Sequence, residues 1–117
     1  MSPSKGWIGV DLDGTLATYD GWVSETHIGQ PIMVMVNRVQ AWRAQGYGVK
    51  IVTARVASRD PHELAVVRSA IERWCMEHIG EAIPTTCCKD YAMIELWDDR
   101  CVQVERNTGR RMDGLDG

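Results

Sequence analysis

Trp7-Ile8-Gly9-Val10-Asp11-Leu12 is a short, nearly unbroken apolar run bracketed by Gly6 and Gly14, with an acid near its end. A run without polar alternation is the profile of a strand buried on both faces. Val49-Lys50-Ile51-Val52-Thr53, within the stretch Tyr47 to Thr53, reads as a second such strand. Between the two, Pro31 suits a first helical position. Ile32, Met35, Val36, Val39 and Trp42 then recur at spacings of three and four until Gly46 offers a C-terminal cap. Strand, core-facing helix and strand in that order form a right-handed parallel crossover, which makes the fold class α/β.

Further along, Asp60 as N-cap, Pro61 at the first position and Glu63 at the third announce a helix carrying Leu64, Val67, Ile71, Trp74 and His78, stopped by Gly80. Beyond Pro84 come strand candidates at Thr85 to Cys88, Met93 to Trp97 and Cys101 to Val104, then a polar tail from about 106 to 117. Ala17 to Gln30 shows no sustained period and carries Asp20-Gly21 and Gly29, so it reads as a loop or flap. With 117 residues the chain has the size of one domain, 1–117, and one core.

An apolar share of 44% and a charged share of 25% match a globular protein and argue against disorder. No window reaches the length of a membrane span. Met1 to Lys5 leads straight into the first strand rather than forming a secretion signal, so the expected location is cytoplasmic. A net charge of −3 gives no sign of a general nucleic-acid binder, although ten of the thirteen basic residues are Arg and local clusters remain open. Cys75, Cys87, Cys88 and Cys101 are too few for a stapled scaffold and are expected to be reduced, mostly buried thiols. A zinc site from Cys75, His78, Cys87 and Cys88 matches no standard spacing.

Asp11-Leu12-Asp13-Gly14-Thr15 places two acids at the carboxyl end of a buried strand, where open α/β sheets bind ligands. In a regular strand Asp11 and Asp13 would face opposite ways. Gly14 permits a turn that swings Asp13 beside Asp11, so that both could share one metal. Converging carboxylates repel each other, and Mg²⁺, a hard oxygen-seeking ion, removes that conflict. A second acid pair, Asp98-Asp99, tips the apolar run Met93-Ile94-Glu95-Leu96-Trp97.

Val10-Asp11-Leu12-Asp13-Gly14-Thr15-Leu16 resembles the first motif of the haloacid dehalogenase superfamily, and Ile51-Val52-Thr53-Ala54-Arg55 resembles the second. Lys89 and Asp98-Asp99 fall in the order of the third and fourth, so the likeness spans positions 8 to 99. The resemblance implies a Rossmann-like core with a mostly parallel sheet flanked by helices. It also implies a Mg²⁺-dependent phosphatase: Asp11 as nucleophile forming an aspartyl-phosphate, Asp13 as general acid and then base. Mg²⁺ would be held by the Asp11 carboxylate, the Asp13 backbone carbonyl and an acid of the Asp98-Asp99 pair, Asp99 directly and Asp98 behind it. Thr53 would donate its hydroxyl to the phosphoryl oxygens with the backbone N–H groups after Asp11 and Thr53, those of Leu12 and Ala54, and Lys89 would supply a point charge.

Between Leu16 and Pro31 there is no room for a cap domain. Similar capless members act on ends of large molecules or complete their sites as homo-oligomers. Nucleotides, other phosphorylated small molecules and nucleic-acid ends are therefore the expected substrates, with Tyr19, Trp22 and His27 of the flap either touching substrate or anchoring the loop. Arg55, Arg59 and Arg100 lie beside the expected strand tips and could receive a second phosphate. A parallel crossover usually needs a dozen residues, yet only Asp90 to Ala92 separates Lys89 from the next apolar run. Either 85 to 88 is not a regular parallel strand or Lys89 enters from a connecting loop. The competing reading is a non-catalytic phosphoryl-accepting or phosphate-binding regulatory domain.

Overall fold

The computed structural model describes residues 6–115. The lead-in Met1 to Lys5 and the last two residues of the tail lie outside the described residues. Strand β1 (Trp7–Asp11), helix α1 (Met33–Ala44), strand β2 (Gly48–Val52), helix α2 (Pro61–His78), strand β3 (Thr85–Thr86) and strand β4 (Met93–Trp97) follow in chain order. They build a four-stranded sheet in the order β3-β2-β1-β4, with every pairing parallel. The α/β class expected from the strand–helix–strand pattern, and the Rossmann-like parallel sheet that the resemblance implies, are the observed ones.

Strand alternation puts Ile8 and Val10 of β1 on one face with their β2 neighbours Val49 and Ile51. Both helices cover this face. Met35, Val36 and Val39 of α1 join Val67, Ile71, Trp74 and Cys75 of α2 in one buried cluster with those strand residues. The α2 start is as the residues announce: Asp60 accepts the Glu63 N–H and Pro61 opens the helix. The α1 start is not. Pro31 bridges Ala17 as an extended residue, and the helix begins at Met33 after an Ile32 with no side-chain cap. The flap's return through Thr18 and Gln30 keeps Pro31 extended, because the Thr18 N–H donates to the Gln30 carbonyl.

The opposite face is covered differently. A doubly wound sheet would send a helix across it between β3 and β4. Here the connection is the short segment 87–92, with a bend at Cys87, a turn at Tyr91 and Ala92, and no helix. Asp90 fastens it by accepting the Trp7 Nε1–H at 2.9 Å, with Lys50 Nζ 3.9 Å from its other oxygen. On this face Gly9 is closely approached: a Cβ there would stand 3.1 Å from Leu96 Cδ1 and from Val52 Cγ2, so those side chains would have to give by a few tenths of an ångström.

Three expectations change in this region. Segment 85–88 contributes only two strand residues, which pair parallel with β2, and Lys89 lies on the connecting segment without entering the strand-tip cleft. Cys101 to Val104 is not a sheet strand; only Val104 bridges, to Arg111, closing a C-terminal hairpin. Of the cysteines only Cys75 is buried, because Cys87 and Cys88 lie on the crossover and Cys101 lies past the last strand, beyond the helix-covered core.

Candidate active site at the strand tips

The site begins with the turn after β1. The Leu16 and Ala17 N–H groups both donate to the Leu12 carbonyl, at 3.0 and 2.9 Å, and Gly14 N–H donates to Ala17 O at 2.8 Å. Leu12, Leu16 and Ala17 are buried and anchor this tight return. Gly14 has φ +89°, and a Cβ there would lie 2.5 Å from Asp99 Oδ2. Any other residue would be strained and would push a cleft acid aside.

Register brings the two acid-bearing tips together. Val10 pairs with Trp97, so the next residues, Asp11 and Asp98, stand side by side, with Asp99 beyond. One carboxylate oxygen from each of Asp11, Asp98 and Asp99 lies within 4.8 Å of the others. Burial of Asp11, the charge of Asp98 and the hydrogen bond and charge of Asp99 push its carboxyl from the ordinary 3.8 up to about 7, with the Leu12 N–H working the other way. Three crowded carboxylates are a donor set for a hard divalent cation. Thr15 ties the group together: its Oγ1 lies 3.5 Å from Asp11 Oδ2 and 3.3 Å from Asp99 Oδ1 and accepts the Asp99 N–H at 3.0 Å. Sequence reasoning gave Thr15 no role, although a hydroxyl following Asp-x-Asp-Gly was the available signal.

Asp13 goes elsewhere. The turn was expected to bring its carboxylate beside Asp11; instead both its oxygens accept from Arg55, Nε at 2.8 Å and Nη2 at 2.9 Å. The Arg55 guanidinium also donates to the carbonyls of Ser24 and Glu25 in the flap, at 3.3 and 3.0 Å. Arg55 is buried, 7% exposed, and its side chain is committed to Asp13 and the flap rather than held out for a second phosphate. Arg59 is committed as well, to Glu25 Oε2 at 2.9 Å and to the Arg55 carbonyl.

Thr53 follows β2 and caps the short 3-10 turn Ala54–Val56. Its Oγ1 accepts the Arg55 N–H at 3.2 Å and its own N–H donates to Thr86 O at 2.9 Å, so β3 braces it from the far side. The hydroxyl proton is left to donate. A cleft of about 350 Å³ joins these groups, lined by Asp11, Asp13, Thr53, Ala54, Asp98 and Asp99 and walled by Tyr19, Trp22 and Arg55, Arg59 and Arg100. An adjoining hollow of about 300 Å³ under the flap includes Asp13, Tyr19 and His27. A larger hollow, about 550 Å³, lies within the C-terminal hairpin and includes none of the strand-tip residues.

Lys89 does not line this cleft. It is exposed on the crossover and borders a separate hollow with Asp90 and Tyr91, because β3 ends at Thr86 and the chain leaves the sheet before reaching it. The cations at the acid cleft are arginines. The zinc grouping is not assembled either: among the described residues Asp11, Asp98 and Asp99 are the set of metal-ligating side chains that converge.

No family model and no curated protein matches the chain. Its fold is similar to the solved structure of a conserved protein from Bacteroides thetaiotaomicron, with a TM-score of 0.56 and 21% sequence identity over 83% of this chain and 78% of that one. That likeness shows the α/β architecture. Among the described residues no helix is long and apolar enough to cross a membrane.

Proposed function

We propose that the chain is a Mg²⁺-dependent phosphomonoester phosphatase of the haloacid dehalogenase type, acting through an aspartyl-phosphate on Asp11. The observation that carries this reading is the convergence of Asp11, Asp98 and Asp99 within 4.8 Å beside the Thr53 hydroxyl. Oxygen-only donors and the mutual repulsion of three crowded carboxylates suit Mg²⁺. The three carboxylates and the Asp13 backbone carbonyl would hold it. When bound, the cation offsets the repulsion between a carboxylate and a phosphate dianion.

The protein's own groups divide the chemistry between them. An Asp11 carboxylate oxygen attacks phosphorus as the bond to the leaving oxygen breaks, and Asp13 gives that oxygen a proton. Asp13 then takes a proton from the water that attacks the aspartyl-phosphate, releasing phosphate and restoring Asp11. The Thr53 O–H and the N–H groups of Leu12 and Ala54 orient the phosphoryl oxygens. Both Asp13 oxygens are engaged by Arg55, so proton transfer requires Arg55 to release at least one of them. The same guanidinium bonds the flap, which makes flap movement the natural companion of that release.

The test is phosphate release from p-nitrophenyl phosphate by the purified chain with and without Mg²⁺. Turnover should require the cation and vanish in Asp11→Asn. Activity that survives Asp11→Asn would sink the nucleophile assignment, and phosphorylation by a phosphodonor without turnover would favour a regulatory domain instead.

A further inference from the structure

The acid cleft has a second wall of different chemistry. Tyr19 and Trp22 line it while 49% and 59% exposed. Aromatic residues that merely anchor a loop are buried against a core, and these two lie outside the buried cluster. The flap is fastened by other groups. Ile28 packs on the core, Trp74 Nε1–H donates to the Gly29 carbonyl at 2.9 Å, and Arg55 holds the carbonyls of Ser24 and Glu25.

Trp22 is also held in place. The Arg55 guanidinium carbon lies over its ring, 5.3 Å from the centroid, and that guanidinium is itself fixed on Asp13. A cation on one face of an indole leaves the opposite face to stack on a planar partner. At the same cleft Arg100 is exposed, and its guanidinium makes no ion pair among the described residues, whereas Arg55 and Arg59 are committed. The cleft therefore offers an aromatic platform and one uncommitted cation next to a phosphoryl-transfer centre.

We propose that the site takes phosphomonoesters bearing a nucleobase: the base stacks on the open face of Trp22 beside Tyr19, and Arg100 counters a further phosphate. This inference rests on the phosphatase reading of the same cleft. Stacking one base on an aromatic side chain corresponds to roughly 5- to 150-fold in affinity. Free mononucleotides and polynucleotide ends share this chemistry, and the substrates below separate them.

The experiment measures kcat/KM for phosphate release by the full chain with Mg²⁺ on adenosine 5′-monophosphate and on ribose 5-phosphate. A 5′-phosphorylated oligonucleotide is compared in the same way with one whose terminal residue is abasic. At least one base-bearing substrate should exceed its base-less counterpart by roughly 5- to 150-fold, mainly through KM, and the larger ratio identifies the source. Trp22→Ala should collapse that ratio toward one, and Trp22→Phe should retain most of it. Ratios near one in the wild type, or ratios unmoved by Trp22→Ala, overturn the nucleobase inference and leave the phosphatase reading standing. If no ester releases phosphate, calorimetric binding decides. Adenosine monophosphate binding that weakens in Trp22→Ala upholds the stacking platform while the phosphatase reading falls, and absence of binding overturns both.

Discussion

Arg55 grips Asp13 through two hydrogen bonds, Nε to Oδ2 at 2.8 Å and Nη2 to Oδ1 at 2.9 Å, joining the turn after β1 to the turn after β2. Asp13 thereby keeps a defined orientation even though its strand has already ended. Arg55→Ala removes a buried cation and leaves the Asp13 carboxylate without its partner. Breaking a buried pair costs roughly 3–5 kcal/mol; because the Asp13 side chain is 23% exposed, we expect about 2–4 kcal/mol. Chemical denaturation measures this. Arg55→Lys keeps the charge but not the two-pronged geometry and should recover less than half of the loss. A variant as stable as the wild type would show that the pair contributes nothing.

Asp11 makes stability depend on pH in a definite direction. Its folded-state carboxyl is raised to about 7, chiefly by burial and then by Asp98, from an ordinary 3.8. Between these values the folded state binds a proton that the unfolded chain does not, so this group's contribution to stability falls as pH rises from about 4 to 7 and is flat above. Asp11→Asn escapes that fall. In the absence of divalent cations its thermal midpoint should gain on the wild type across this window, and Mg²⁺ at pH 8 should raise the wild-type midpoint more than that of the variant. Parallel curves for the two proteins would count against the coupling.

Thr15 is expected to act on the acid cluster as a positioning residue. Thr15→Val keeps the shape but removes the oxygen that accepts the Asp99 N–H at 3.0 Å and reaches toward Asp99 Oδ1 and Asp11 Oδ2. Losing such a supporting partner typically weakens metal binding by roughly 10- to 100-fold. The Mg²⁺ concentration giving half-maximal effect should rise by that order, with kcat at saturating Mg²⁺ changing far less. An unaltered Mg²⁺ titration would assign Thr15 to local structure alone.

Gly14→Ala should be harsher. Its backbone at φ +89° is unfavourable for a residue with a Cβ, by roughly 1–2 kcal/mol, and the new carbon would lie 2.5 Å from Asp99 Oδ2. We expect lower stability together with weakened Mg²⁺ dependence, read from calorimetry and metal titration. Loss of stability with unchanged metal response would mean that Asp99 can shift without consequence for the site.

The covalent order of residues was enough to establish the α/β class, the Asp60 cap of α2, most core-facing positions of both helices and the placing of acids at two strand ends. These features depend on local periodicity and on turn residues, which act over a few positions. It also marked Asp11, Asp98 and Asp99 as candidates, because an acid ending an apolar run is unusual wherever the strand lies. The tertiary structure decided which of these groups meet. Parallel register sets Asp11 beside Asp98, while Arg55, 42 positions from Asp13, draws that carboxylate away from the cluster. Lys89, promising by motif order, lies on the crossover because β3 ends at Thr86 and the short helix-free segment 87–92 leads directly to β4. Trp22 and Tyr19 were ambiguous as letters, since anchoring and ligand-facing aromatics have the same composition; the tertiary structure leaves both exposed along the cleft and outside the buried cluster. Pairings between distant segments depend on register, crossover path and burial, and none of these is a property of any short stretch of sequence.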